Sequence, residues 1–272
     1  MLEGLWTALP RWVDEEDDRR LGRALERIMA QGVDGFFVLG TTGLGADLTV
    51  SARQHMLEKL VSLSADAQRI VVAVSANASG DVRELVIHAF AQGVRGIALT
   101  LPFYGRFDPP EIERWAQQLF QNVKKEGDVY LYNIPSVVPT SWLTPVVESV
   151  DQLIGVDGIK DSSGNVGQLW EYLQWAEDHH ASVLVGDERL TIYSCFMGAH
   201  GVVSGLSAAY PKLMVDLLTA CHNSDWIEAR RLQNLVNLRL KDVASNTPRE
   251  GVAKLVQVMI NTGILDEAIS GP

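Results

Sequence analysis

Cysteine is scarce in this sequence, which contains only two, Cys195 and Cys221. Two isolated cysteines build no disulfide framework, and neither belongs to a CxxC pair or to a Cys/His cluster with the spacing of a zinc site. The acidic pair Asp187-Glu188 has no histidine partner in the pattern of a metal site, and helix capping is its more common use. We therefore expect no metal and no cofactor.

Positive charge is also in short supply, with 23 lysines and arginines against 34 aspartates and glutamates. The resulting net charge of -11 argues against a nucleic acid or an anionic membrane surface as the partner. Long uninterrupted apolar segments are missing as well, and the N-terminus lacks the basic and apolar regions of a signal peptide. The composition predicts a globular cytoplasmic protein without a membrane partner.

Short apolar runs alternate with longer amphipathic segments along the chain, and no low-complexity linker separates them. This alternation predicts eight strand and helix pairs, because buried parallel strands are short and apolar whereas the intervening helices have one apolar face. Eight such units in one chain favour a closed (β/α)8 TIM barrel over an open doubly wound sheet. The predicted strands are 4–9, 33–39, 69–75, 95–101, 128–133, 153–160, 182–186 and 201–205.

The first predicted helix begins with an acidic run, Asp14 to Asp18, because carboxylates are favourable at the positive end of the helix dipole. The predicted helices cover about 14–31, 51–64, 81–92, 109–126, 143–150, 166–178, 189–197 and 208–221. Two further amphipathic helices, about 226–243 and 249–262, follow the eighth unit. We expect residues 1–222 to form the barrel and residues 223–272 to form a helical extension packed on its outside.

Lys160 closes the predicted sixth strand and precedes an abruptly polar stretch. A free lysine amine has a pKa of about 10.4, so a nucleophilic lysine needs an apolar or cation-crowded site that lowers this value. Ile159 and the run 153–156 can supply apolar walls. A lysine at a strand end is more often solvated or paired with a carboxylate such as Asp161, and only its neighbours in the fold favour a nucleophile.

The carboxyl ends of the strands of such a barrel converge at one mouth, where active sites lie. Tyr132 closes the fifth strand, Thr41 and Thr42 follow the second, and Tyr104 follows the fourth. A lysine among phenol and hydroxyl groups suits Schiff-base chemistry, in which the amine attacks a ketone and a phenol relays protons. His200 lies beside the eighth strand, where a structural role is more common than a place at the mouth.

Six blocks of the sequence resemble the signature motifs of the dihydrodipicolinate synthase/N-acetylneuraminate lyase superfamily, in the same order and spacing. They are Gly40-Thr-Thr-Gly43, Pro102-Phe-Tyr104, Tyr132-Asn-Ile-Pro135, Gly158-Ile-Lys-Asp161, Gly186-Asp187 and Gly198-Ala-His-Gly-Val-Val-Ser204. The resemblance covers almost the whole chain. It implies a (β/α)8 barrel, a homo-oligomer (a dimer or tetramer, usually a homotetramer), and a lysine that forms a Schiff base with pyruvate or a related 2-oxo acid.

The resemblance assigns roles to residues at the mouth. Lys160 matches the Schiff-base lysine, and Tyr132 matches the tyrosine that shuttles protons. Thr41 and Thr42 match the pair that relays protons and grips the pyruvate carboxylate. Gly43 belongs to the same glycine-rich loop, which can hold a carboxylate through backbone N–H groups.

Positions farther from the lysine bear on the second substrate. Tyr104 matches a tyrosine that reaches into a neighbouring subunit's site, and Val203 matches a position whose backbone carbonyl faces the substrate. Synthases of the superfamily hold the aldehyde's carboxylate with an arginine at the position of Val137, and valine cannot do so. Arg106 is either a substitute ligand for a carboxylate or phosphate, or a solvated loop residue.

The loop 40–45 reads GTTGLG, which resembles 2-keto-3-deoxygluconate aldolases rather than the GTTGE of synthases and sialic acid lyases. The leading hypothesis is therefore a class I aldolase that cleaves or forms a 2-keto-3-deoxy sugar acid, yielding pyruvate and an aldehyde. The first alternative is 4-hydroxy-tetrahydrodipicolinate (dihydrodipicolinate) synthase, which condenses pyruvate with aspartate semialdehyde. Hydratase-aldolase and dehydratase activities stay open, as does a non-catalytic pyruvate-binding barrel, which retention of Lys160 and Tyr132 disfavours.

Overall fold

The computed structural model describes residues 1–11, 18–64 and 66–267. Eight short parallel strands pair in chain order, and the eighth pairs with the first to close a barrel. The predicted barrel is therefore confirmed. The strands are β1 (Gly4–Ala8), β2 (Gly35–Val38), β3 (Ile70–Ala73), β4 (Gly96–Leu99), β5 (Asp128–Asn133), β6 (Gly158–Asp161), β7 (Ser182–Val185) and β8 (Gly201–Ser204).

Helices surround the barrel, because each strand turns alternate side chains outward onto an apolar helix face. They are α1 (Asp18–Met29), α2 (Val50–Ser64), α3 (Ser79–Ala91), α4 (Pro109–Phe120), α5 (Thr144–Ile154), α6 (Val166–His179), α7 (Thr191–Phe196), α8 (Pro211–His222), α9 (Trp226–Arg239) and α10 (Pro248–Asn261). Residues 14–17, which we expected to open the first helix, lie outside the described residues. No helix in the described parts of the chain has the length and apolar character needed to cross a membrane.

Two large aromatic side chains fill the barrel near the amino ends of its strands. Trp6 stands beside Gly35 in the strand register, and Tyr130 stands beside Gly158. A Cβ at Gly35 would lie 2.5 Å from the Trp6 ring, and one at Gly158 would lie 2.7 Å from the Tyr130 ring. Glycine at these positions thus makes room for the rings. Because the rings fill the amino end of the barrel, the space for a site lies at the carboxyl end.

The sixth strand was predicted to begin at Leu153, but in the structure β6 begins later in the chain. Leu153 and Ile154 end α5, Gly155 then adopts a positive φ of 69°, and β6 begins only at Gly158. Leu153 is 44% exposed on the outside of the fold. The run 153–156 therefore does not form the walls around Lys160, because a helix end and a glycine turn interrupt what reads as one apolar strand.

The two C-terminal helices pack on the barrel and reach the rim of its mouth. Near the start of α10, Arg249 donates two hydrogen bonds to the carboxylate of Asp47, at 2.8 and 3.0 Å, in the loop after β2. Pro248 lines a cavity at the mouth together with Thr41. The extension therefore covers part of the site, although the division of the chain at residue 222 stays a prediction.

Candidate active site

Lys160 lies inside the barrel near the carboxyl end of β6. Side chains alternate along a strand, so Lys160 faces inward while Asp161 faces the other way. The Asp161 carboxylate accepts hydrogen bonds from the Asn133 amide nitrogen at 2.8 Å and from the Ser163 hydroxyl at 2.9 Å. The lysine is only 5% exposed. It is therefore a buried amine, neither solvated nor neutralised by the adjacent aspartate.

Two aromatic rings form the walls around the amine. The Lys160 Nζ lies 3.8 Å from the ring centroid of Phe37 and 4.0 Å from that of Tyr132. The two rings meet edge to face, with centroids 5.7 Å apart. The sequence did not predict a role for Phe37, because an aromatic residue in a buried strand gives the same sequence pattern whether its side chain faces the helices or the barrel interior.

Burial lowers the pKa of the Lys160 amine below its ordinary value, because an ammonium loses its hydration inside the barrel. The Tyr132 hydroxyl and the Glu188 carboxylate act in the opposite direction and favour the charged form. Desolvation is the larger effect. Lys160 thus has the lowered pKa that a nucleophilic amine requires.

The loop after β2 turns back sharply beside this amine. Leu39 adopts a positive φ of 57°, and a Cβ at Gly43 would lie 2.8 Å from the Leu39 nitrogen. Thr41 and Tyr132 line the same cavity. Among the residues that the structure describes, the backbone N–H groups of residues 41–43 donate to no protein acceptor. This turn can therefore receive a carboxylate through free N–H groups.

The structure places Tyr132 beside Lys160 and Thr41 on a cavity that Tyr132 also lines, but it leaves other predicted residues outside. Tyr104 is 86% exposed, and only its backbone N–H is held, by the Asn77 side chain at 2.9 Å. Arg106 is also exposed in this loop. Neither side chain lines the cavity beside Tyr132 in its own chain, so the roles predicted for Tyr104 and Arg106 stay predictions.

Val203 and Thr42 are two further residues that were predicted to bind the substrate. Val203 is buried in β8, next to Trp6 in the register, and its side chain belongs to the cluster that contains Phe37 and Tyr132. Thr42 lines a second cavity at the mouth together with Glu188. Thr42 therefore lies at the mouth, and the contacts of Val203 and Thr42 with a substrate stay predictions.

Glu188 is a residue of the mouth that the sequence analysis assigned to helix capping. Capping is confirmed for Asp187, whose side chain accepts from the Arg189 backbone N–H at 3.1 Å. Glu188 instead accepts hydrogen bonds from the Ser204 hydroxyl and the Leu206 N–H, both at 3.1 Å. It holds the loop after β8 in place and puts a negative charge near Lys160.

His200 lies at the opposite end of the barrel, just before β8 begins. Its Nδ1 accepts a hydrogen bond from the Val183 backbone N–H at 3.1 Å. His200 therefore holds a backbone group at the amino end of the barrel and does not reach the mouth. Within residues 1–11, 18–64 and 66–267, no group of three or more histidines, cysteines and carboxylates is arranged to hold a metal ion.

Comparison with known proteins gives one family match over most of the chain. The model described as "Dihydrodipicolinate synthetase family" matches residues 13–266. A curated relative, the 4-hydroxy-tetrahydrodipicolinate synthase of Methanosarcina barkeri, is 28% identical over 237 residues, which are 85% of this chain and 79% of that protein.

Solved structures show the same architecture. A dihydrodipicolinate synthase from Bacteroides thetaiotaomicron superposes with a TM-score of 0.89 at 26% identity, covering 100% of this chain and 92% of that one. A 2-keto 3-deoxygluconate aldolase from Picrophilus torridus superposes with a TM-score of 0.86 at 20% identity, covering 98% and 95%. At that lower identity the likeness concerns the fold alone.

Proposed function

Because the chain belongs to the dihydrodipicolinate synthetase family of pyruvate-dependent carbon–carbon lyases, we propose that it is a class I aldolase acting on a 2-keto-3-deoxy sugar acid such as 2-keto-3-deoxygluconate. The observation that carries this proposal is the buried Lys160 amine between Phe37 and Tyr132. A primary amine with a lowered pKa beside a phenol is the arrangement that imine formation needs.

In the proposed reaction, the neutral Lys160 amine attacks the C2 carbonyl carbon of the sugar acid. The tetrahedral adduct loses water and becomes a protonated imine, and the Tyr132 hydroxyl relays the protons that this exchange requires. The free N–H groups of residues 41–43 suit the substrate's C1 carboxylate. Glu188 favours the positive charge of the imine nitrogen, as it favours the lysine ammonium.

Cleavage then uses the imine as the acceptor of an electron pair. Removal of the C4 hydroxyl proton, which we assign to Tyr132, breaks the C3–C4 bond and releases the aldehyde. The bonding pair moves to form a C2–C3 double bond, which gives an enamine on Lys160. Protonation of C3 and addition of water to C2 then release pyruvate and restore the amine. The reverse sequence condenses pyruvate with an aldehyde.

The choice of a sugar acid is supported by the residues beside Tyr132. Val137 lines the cavity next to this tyrosine, where a valine offers no charge to an aldehyde's carboxylate. The second candidate is the synthase reaction with aspartate semialdehyde. It is favoured by relatives such as the Methanosarcina barkeri protein, which carries the name 4-hydroxy-tetrahydrodipicolinate synthase at 28% identity.

Pyruvate release from 2-keto-3-deoxygluconate, measured beside condensation of pyruvate with aspartate semialdehyde, separates these two reactions. Pyruvate release without condensation supports the aldolase function. Condensation without pyruvate release supports the synthase function instead. Borohydride reduction with pyruvate, followed by peptide mass analysis, tests the chemistry they share. We expect a pyruvyl adduct on Lys160, lost in Lys160→Ala and kept in Lys212→Ala, which removes an exposed lysine of α8. Turnover that survives in Lys160→Ala would place the chemistry elsewhere.

We further propose that the enzyme is a cytoplasmic homo-oligomer, a dimer or tetramer, to which Tyr104 contributes. The exposure of this tyrosine at 86% fits a contact with a second copy of the chain. Light scattering of the purified protein measures the assembly. Tyr104→Phe should lower kcat if the phenol enters a neighbouring site, and an unchanged kcat in this variant would remove Tyr104 from the catalytic set.

A further inference from the structure

A buried hydrogen bond joins the last side chains of β5 and β6. Asn133 and Asp161 face each other in the register of the two strands, one residue beyond Tyr132 and Lys160. The Asn133 amide nitrogen donates to the Asp161 carboxylate at 2.8 Å, and the two residues are only 1% and 3% exposed. Because side chains alternate along a strand, this bond lies on the outer face of the barrel, opposite the face that carries the amine and the phenol.

The side-chain amide of Asn133 has a partner for each of its polar atoms. Its nitrogen also donates to the Gln168 side-chain oxygen of α6 at 3.3 Å, and its oxygen accepts from the Trp142 backbone N–H at 3.4 Å. An amide that is bonded on every side can adopt only one orientation. These contacts therefore fix the end of β5 against α6 and against the loop before α5.

Backbone hydrogen bonds hold the same two residues from the side of the mouth. The Ser162 N–H donates to the Asn133 carbonyl at 2.8 Å, and the Gly186 N–H donates to the Asp161 carbonyl at 2.7 Å. β6 spans only four residues, and Lys160 is the third of them. The bonds at Asp161 are therefore the nearest support of Lys160 at the open end of the strand.

Packing alone does not explain a polar pair at this place. Leu131 and Ile159 form the preceding pair on the same outer face, and both are apolar and fully buried. Asp161 is instead a carboxyl group whose pKa is raised by burial, so its charged form is costly to bury. Apolar side chains of similar size often stabilise a fold equally well, whereas a fully bonded polar network selects one geometry. We therefore look to the position of the strand ends for the role of this bond.

We propose that Asn133 and Asp161 are positioning residues that hold the Tyr132 hydroxyl against the Lys160 amine. The inference rests on the proposed aldolase function and deepens it. Both side chains point away from the barrel interior, so they act through the catalytic pair. A displacement of about 1 Å at a reacting group can lower a rate by about 10²-fold, so a bond that fixes the ends of the two strands can govern the proton transfers of Tyr132.

The first test removes the bond and measures kcat for pyruvate release, or for condensation if that is the reaction that the unaltered protein catalyses. Asn133→Leu keeps the approximate size of the side chain and removes its hydrogen bonds. We expect this variant to lower kcat by about 10- to 100-fold. The pyruvate concentration that gives half-maximal borohydride trapping should change by less than about threefold, because the Lys160 amine is intact.

A second variant, Asn133→Asp, makes the bond depend on pH. Two facing carboxylates repel each other at about pH 8, whereas at about pH 5.5 they can share one proton, and a carboxyl O–H then replaces the amide N–H. We expect the kcat of this variant, divided by that of the unaltered protein at the same pH, to rise about tenfold as the pH falls over this range. The same ratio should stay low at every pH for Asn133→Leu. A ratio for Asn133→Asp that does not change with pH overturns the role of the bond.

A double-mutant cycle with Tyr132→Phe separates positioning from general stability. Once the phenol oxygen is gone, Asn133→Leu should lower kcat by less than a further factor of about two. Asp157→Asn is the matched control, because Asp157 joins the same two strands at their amino ends by accepting from the Val129 N–H at 2.7 Å. This control should lower Tm but leave kcat within about twofold.

Trapping of pyruvate separates failure of the positioning role from failure of the function. No adduct on Lys160 in the unaltered protein overturns the aldolase function itself. With the adduct present, an equal loss of kcat from Asn133→Leu with and without the Tyr132 hydroxyl overturns the positioning role. A loss of kcat in Asp157→Asn as large as that in Asn133→Leu overturns it as well. These two comparisons decide the proposal also if Asn133→Asp does not fold.

Discussion

Lys160 and Tyr132 are direct neighbours in the register of β5 and β6, and the lysine Nζ lies 4.0 Å from the centroid of the tyrosine ring. Backbone hydrogen bonds between two strands therefore fix the spacing of the amine and the phenol. A site built on strands holds its geometry more firmly than one built on loops. The distance between the amine and the tyrosine ring is therefore fixed before any substrate binds.

Removing only the phenol oxygen of this pair should impair proton transfer and spare the packing. We expect Tyr132→Phe to lower kcat for pyruvate release by about 10²–10⁴, the usual contribution of a positioned acid or base. Tyr130→Phe is the matched control, because that hydroxyl bonds to Asp128 at 3.0 Å near the amino end of the barrel. Equal losses in the two variants would show that Tyr132 has no special role.

Glu188 should set the pH at which the lysine becomes nucleophilic. Its carboxylate raises the pKa of Lys160 against the larger effect of burial, so Glu188→Gln should lower that pKa and shift the rise of imine formation to lower pH. The rate of pyruvate trapping, measured from pH 6 to 10, follows the shift. Asp187→Asn is the control, because Asp187 pairs with Arg189 at 2.6 Å. A shift of the same size in the control would contradict this specific role.

The sequence was enough to predict the barrel and its central pair. Lys160 and Tyr132 each lie next to the last residue of a short buried strand. The carboxyl ends of barrel strands meet at one mouth whatever the details of the loops. Thr41 followed from the same rule. These predictions needed only the order of the elements and the family resemblance, which together determine which side chains can meet.

Other parts of the site depend on distances that no local pattern contains. Phe37 faces the lysine because of the alternation and register of β2, and Glu188 serves the loop after β8 because that strand closes the barrel beside β7. The start of β6 was misplaced because Gly155 ends a helix inside a continuous apolar run. In each case, tertiary contacts determine what the residue does.

The buried amine should cost the protein stability. Since the pKa of Lys160 is lowered in the folded state, the unfolded chain binds more protons below about pH 10.4, and stability falls as the pH drops below that value. Lys160→Met removes the penalty and should raise stability at pH 7 by about 1–3 kcal/mol, or about 2–4 °C in Tm per kcal/mol. Thermal unfolding without a 2-oxo acid measures this gain, which should shrink toward pH 10. No gain at pH 7 would show that the ammonium is well accommodated.

His200 should make the stability of the barrel sensitive to mild acid. Burial lowers the pKa of its imidazole, the N-terminal amine adds to this effect, and Glu3 opposes it. The folded state therefore binds fewer protons than the unfolded chain below about pH 6.5, so the stability present above that pH is lost as the pH falls. Protonation also removes the Nδ1 acceptor used by the Val183 N–H. We expect the urea midpoint of the unaltered protein to fall between pH 7 and 5, and to fall less in His200→Gln. His55→Gln, which alters an exposed histidine of α2, is the control and should keep the full pH dependence. If the midpoint of His200→Gln falls as much as that of the unaltered protein, His200 is not the cause.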